Sequence, residues 1–189
     1  LYSSAASDVY KRQDIADEAG INLALLNYYF RSKEKLFDII MEESMQQMFG
    51  LIVGIVNDEN TELSKKIDLI ANRYVDSLLE NPNLPLFVLS EIQANPKKLI
   101  EKIGISENLI KNNYFYKQIQ EQMDKKEIEG IAPLQIFINI VSMTVFPIVG
   151  KPLLISIHSP MTEDDYTNFI NERRKLVPQW IKMMLKIDE

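Results

Sequence analysis

Apolar residues in this chain return every three or four positions over long stretches, and this period restricts the fold more than any single motif does. Leu36, Phe37, Ile40, Met41, Met45, Met48, Phe49 and Ile52 follow it, the mark of a helix with one face turned inward. Leu63, Ile67, Ile70, Ala71, Tyr74 and Leu78 repeat it, as do Tyr166, Phe169, Ile170, Val177, Trp180, Ile181 and Met184. Turn residues agree, since six Gly and eight Pro in 189 residues are too few for a β-rich fold. The reading is an all-α chain of eight or nine helices without a sheet.

Local signals punctuate these helices. Asp14–Ala19 has helical propensity, and Gly20 suits the left-handed position that ends a helix. Asn22 is placed to cap Leu23–Phe30, and Ser32 to cap a long helix running to about Asn57. Thr61 is read as the next cap. A short helix follows over Pro85–Ala94, and Asn95-Pro96 marks the cap and first position of another. Glu107–Glu129 reads as an amphipathic helix closed by Gly130. Pro133–Val149 is nearly all apolar and is stopped by Gly150-Lys151-Pro152. A loop through His158-Ser159-Pro160 leads to Thr162, the cap of the last helix.

Composition removes several classes of function. With no Cys and a single His, disulfides, thiolate zinc sites, multi-His metal sites and thiol catalysis are excluded. No nucleophile–base–orienter set or phosphate loop stands out, so the reading is not an enzyme, with no catalytic residue, metal or cofactor. Leu134–Val149 is interrupted by Gln135, Asn139, Ser142, Thr144 and Pro147 and is shorter than the ~20 apolar residues of a membrane span. It is read as a buried helix, and residues 1–13 lack the apolar core of a signal peptide. A cytoplasmic protein without a membrane partner is expected. His158 and the Arg173-Arg174-Lys175 run are read as solvated groups, and Glu163-Asp164-Asp165 as the acidic first turn of the last helix.

The two short helices around Gly20-Ile21-Asn22 carry the functional signal. A helix-turn-helix needs small residues where its helices approach and a tight turn between them, which Ala19 and Gly20 supply. Leu26, Tyr29 and Phe30 read as the inward side of the second helix. On spacing alone, a helical hairpin with no DNA role stays equally open. The segment DIADEAGINLALLNYYFRSKEKLF, Asp14–Phe37, resembles the DNA-binding segment of the TetR family of bacterial transcriptional regulators. The resemblance rests on Ile15-Ala16, Ala19-Gly20, Tyr28-Tyr29-Phe30 and Ser32-Lys33-Glu34 in register.

That resemblance implies a recognition helix over Leu23–Tyr29 and a double-stranded DNA operator as partner. Asn22 and Asn27 would contact phosphate or a base edge, Leu23 and Ala24 thymine methyls, and Tyr28 a phosphate through its hydroxyl. Lys33 would pair with a phosphate at the next helix's N-terminus. It further implies a homodimer built on the last two helices, here through Phe137, Val141, Val177, Trp180, Ile181 and Met184. A small-molecule effector is expected among Tyr74, Phe87, Phe115 and Met123. The chain then divides into a helix-turn-helix module at 14–45 and a helical ligand-binding and dimerisation domain at 46–189.

Two departures accompany the match. The family places a further helix before Asp14, whereas residues 1–13 are short and polar and read as a non-native or truncated segment. Residues 1–49 also carry five basic against eight acidic side chains, and only Asn22–Lys35, with three against one, is positive. The expected function is a ligand-responsive repressor released from its operator by a small molecule. The alternative is an all-helical small-molecule binding or interaction protein without DNA binding in this form.

Overall fold

The computed structural model describes residues 12–30, 32–104, 112–128, 130–157 and 161–187, apart from the side chains of Arg12, Gln13 and Asn27. The expectations for residues 1–11, for His158 and for the start of the helix at Glu107 lie outside the described residues. Every described element is a helix or a turn, and no strand occurs among the described residues. The chain divides into two compact units, Leu1–Ser44 and Met45–Glu189.

In the first unit, α1 (Arg12–Glu18) and α2 (Leu23–Phe30) pack against each other, and α3 (Lys33–Asn57) begins. Helix α1 includes Arg12 and Gln13, two residues ahead of the expected start at Asp14. Gly20 has φ +63°, and its N–H donates to the Asp17 carbonyl while that of Ile21 donates to Ala16. This paired closure ends a helix with a left-handed residue. Asn22 then starts α2, its Oδ1 accepting the Ala24 N–H at 2.7 Å. Ser32 Oγ accepts the Lys35 N–H at 3.1 Å and caps α3 in the same way.

The second unit is built around α4 (Leu63–Glu80), α8 (Pro133–Val149) and α10 (Glu163–Leu185), which pack on one another pairwise. Between them in sequence lie α5 (Leu84–Ala94), α6 (Pro96–Lys102), α7 (Tyr114–Asp124) and α9 (Lys151–Ile157). Ile67, Ile70, Ala71, Ile136, Ile140, Val177 and Ile181 are buried at the centre. Thr162 and Asp165 form a reciprocal capping box at the start of α10, and Asn95 caps α6.

Pro147 lies inside α8 and has no N–H to give the Met143 carbonyl one turn back. Arg173 of α10 supplies the missing donor, with Nη2 at 2.8 Å and Nε at 3.3 Å from that oxygen. The Tyr166 hydroxyl donates to the Pro147 carbonyl at 3.2 Å. Arg174 pairs with Asp76, and Lys182 with Asp68 at 2.8 Å, tying α10 to α4. Arg173 and Arg174 are therefore not a solvated basic face, since a proline-broken helix and an acidic neighbour draw them inward.

Three other expectations move. Thr61 is not a cap, because its hydroxyl donates to the Asp58 carboxylate and Glu62 takes the cap position with no side-chain bond. Asp58 also accepts the Asn60 N–H at 3.0 Å, and these two bonds, the Thr61 hydroxyl first, hold its carboxyl below the usual range. Helix α7 ends at Asp124, short of Gly130, because Lys126 turns left-handed with φ +59°. After Gly150 the chain re-enters a helix, α9, where a loop was expected, and α8 and α9 meet at a bend of 66°.

Candidate nucleic-acid interface

The geometry of α2 follows from its two ends. The Gly20 turn and the Asn22 cap fix where it starts, and Leu26, nearly fully buried, is its inward anchor beside fully buried Ala16 of α1. An eight-residue helix with one such anchor shows most of its circumference to solvent. Ala24, Leu25, Tyr28 and Tyr29, neighbours at spacings of three and four, are exposed together. Tyr28 is 77% exposed and Tyr29 63%.

Tyr29 departs from the expectation, because it is not an inward residue. Its ring stands edge-on to Tyr28 at 5.2 Å between centroids, with planes 82° apart. The inward side of so short a helix is filled by Leu26, leaving no seat for a second large ring. Leu25 was not expected as an outward residue, although its spacing to Tyr28 and Tyr29 was already readable. Leu23 and Phe30 are half-buried.

Asn22 is exposed, but its Oδ1 is committed to the helix cap. A bidentate bond to adenine needs both ends of the amide, so Asn22 is left as an N–H donor, suited to a phosphate oxygen. Asn27 lies within α2, and its side chain is outside the described residues. Lys33 is half-buried in the first position of α3, where open backbone N–H groups and the helix dipole favour an anion. The outward face thus offers hydroxyl and amide donors, two rings and a methyl group beside a cationic helix start. That set suits a phosphate backbone and base edges.

The other expected site residues lie in the larger unit. Tyr74 on α4, Phe87 on α5 and Phe115 on α7 are buried, and Met123 is half-buried at the end of α7. Helix α7 packs on α4, and both α5 and α7 pack on α8. The Tyr74 phenol is pushed up to about 12 by burial. A cavity of about 10 Å³ between Val75, Met143, Thr144 and Ile170 has room for about one water molecule, and none of the four expected residues lines it.

Of the expected dimer residues, Val177 and Ile181 are fully buried within the subunit. They belong to its core because α10 turns their side of the stripe toward α4 and α8. Phe137, Val141 and Met184 are half-buried, and Trp180 is 38% exposed. Helix α8 is not buried on several sides. Leu134, Ile138 and Phe146 stand exposed along it, four and then eight residues apart, as Met183 does on α10.

Helix α3 is, among the described helices, long and apolar enough to cross a membrane by composition alone. Its pattern is nevertheless one-sided, with Met45, Met48, Ile52 and Val56 buried and Gln46, Gln47 and Gly50 exposed. That alternation is the mark of a helix packed along one side, while Ile40 and Leu51 stay exposed. Among the described residues no group of three or more His, Asp or Glu could hold a metal ion.

Residues 11–40 match the bacterial regulatory proteins of the tetR family, which covers the whole of α1 and α2 and the start of α3. The chain is also similar to an HTH-type transcriptional regulator of Staphylococcus aureus (strain MRSA252), at 27% identity over 134 residues. That similarity covers 69% of this chain and 63% of the relative, so the chain spans less than two thirds of that protein's length. A two-helix module closed by Gly20 and capped by Asn22, an all-helical second unit and these two likenesses agree in one direction: the chain is similar to the tetR family of bacterial regulatory proteins, a likeness carried by residues 11–40.

Proposed function

We propose that the chain is a homodimeric, ligand-responsive DNA-binding regulator that represses transcription in the bacterial cytoplasm and is released from its operator by a small molecule. The observation that carries this reading is the exposed face Ala24-Leu25-Tyr28-Tyr29 on a helix whose start is fixed by the Gly20 turn and the Asn22 cap. Such a helix fits the major groove, about 12 Å wide. Tyr28 and Asn22 donate to phosphates, and Lys33 adds a charge at the start of α3.

One recognition helix reads only a few base pairs, and pairing two across half-sites about 34 Å apart supplies the rest. The exposed apolar stripe of α8, with Trp180 and Met183 of α10, is the surface for that pairing. An effector that prefers a conformation unable to reach both half-sites lowers DNA affinity by the difference, typically about 1–3 kcal/mol.

The test is fluorescence anisotropy with duplex DNA from upstream of the chain's own gene. Affinity is expected to fall at least about tenfold between 50 and 200 mM salt, because phosphate contacts release counterions. Tyr28→Ala and Lys33→Ala should each weaken binding by about tenfold, the loss of one good contact. Binding indifferent to salt and to both substitutions would overturn the regulator reading and leave an all-helical small-molecule binder without a DNA role.

A further inference from the structure

An unmatched pair of polar groups lies in the larger unit, where the loop after α3 meets α4 and α7. Lys66 is fully buried, and its ammonium has no hydrogen-bond or ion-pair partner among the described residues. It rests over the ring of Tyr114, 4.6 Å from the centroid. Gln118 lies one turn beyond Tyr114 on α7, and its Nε2 donates to the Thr61 carbonyl at 3.0 Å. Its buried Oε1 accepts nothing among the described residues.

A cation and an acceptor shut away from water without partners are both costly. Burial pulls the Lys66 ammonium below its usual range, and the nearby charges of Asp58 and Glu59 only partly restore it. Neither carboxylate contacts it. Leu63 and Ile67 of α4 and Phe115 and Ile119 of α7 are buried apolar residues on the same two helices. The complement of this arrangement is a ligand with a carboxylate, a hydroxyl beside it and an apolar tail.

We infer that Lys66 and Gln118 form the recognition point for a small 2-hydroxy carboxylic acid, Lys66 holding the carboxylate and Gln118 accepting from the hydroxyl. The inference deepens, and rests on, the reading of the larger unit as an effector domain. The site reaches the rest of that domain through its own bonds. Gln118 grips the carbonyl of Thr61, and the Asp58–Thr61 loop directly follows Asn57, the last residue of α3. A ligand that draws on Gln118 draws on the end of α3.

The test uses the full chain with three probes: 2-hydroxyhexanoate, hexanoate and the uncharged hexane-1,2-diol. Thermal shift and calorimetry should show the hydroxy acid binding best, hexanoate about tenfold more weakly for want of one hydrogen bond, and the diol not at all. Lys66→Met should abolish binding of both acids, and Gln118→Leu should bring the hydroxy acid down to the level of hexanoate. Circular dichroism checks that both variants fold. If Lys66→Met does not, the Gln118→Leu comparison decides alone. No binding of either acid at about 10 mM, above the weakest range of specific affinity, overturns the inference, as does binding unchanged by the substitutions. Anisotropy on DNA is read separately. A chain that binds acid through Lys66 yet never binds DNA keeps this site and loses the regulator reading, and the converse result loses the site alone.

Discussion

The bond from Arg173 to the Met143 carbonyl makes a quantitative demand. Pro147 leaves that oxygen without its helical donor, so Arg173→Met should expose an unmet, partly buried acceptor, a cost of about 1–3 kcal/mol. The guanidinium also stands over Phe169 at 5.7 Å and Trp180 at 5.3 Å, contacts worth about 0.5–1 kcal/mol each where half-exposed. The total loss is then about 2–5 kcal/mol, large against the roughly 5–15 kcal/mol of a whole domain. Pro147→Ala restores an N–H at the right place in α8, and in that background the carbonyl has a partner whatever stands at 173. Arg173→Met should there cost only the ring contacts, about 1–2 kcal/mol. Urea unfolding of the four proteins at one fixed concentration gives the cycle, and the small void left by Pro147→Ala cancels from it. A coupling below about 0.5 kcal/mol, the scatter for independent sites, would refute the claim that Arg173 replaces the proline's missing donor.

Three further outcomes follow from the larger unit. Ile138→Glu with Phe146→Glu places charge on the exposed stripe of α8 and should leave a monomer of 21.9 kDa in light scattering, where the unsubstituted chain runs at twice that mass. Because burial raises the Tyr74 phenol from 10.0 to about 12, the folded form keeps its proton longer than the unfolded one. Its contribution is whole below pH 10 and is lost as pH climbs toward 12, a decline of up to about 3 kcal/mol that Tyr74→Phe should remove from the urea-unfolding profile. Lys126→Gly relieves a left-handed residue at the end of α7 and should raise stability by about 0.5–1 kcal/mol in the same assay; a loss would show that the lysine side chain contributes more than its backbone costs.

What could be read beforehand depended on range. Gly20, Asn22, Ser32, Asn95 and Thr162 each act on backbone two to five residues away, and each does in the structure what its residue type predicts. The faces of the helices were less legible. The α10 stripe is wide enough that periodicity alone cannot divide Val177 and Ile181, which face the core, from Trp180, which does not. Tyr29 was misassigned because an eight-residue helix has too few turns to show which of two apolar sides is covered. Thr61 failed as a cap because Asp58, three residues before it, competes for its hydroxyl. The burial of Lys66 and the inward turn of Arg173 left no local signal, since both are set by partners on other helices.

Gly20 has φ +63°, and a methyl group added there would meet nothing within 4 Å. The position therefore selects by chirality and not by bulk. Asparagine, which tolerates the left-handed region through its short polar side chain, is a milder replacement there than the smaller alanine, and the usual ranking of substitutions by size is inverted at the corner that leads into α2.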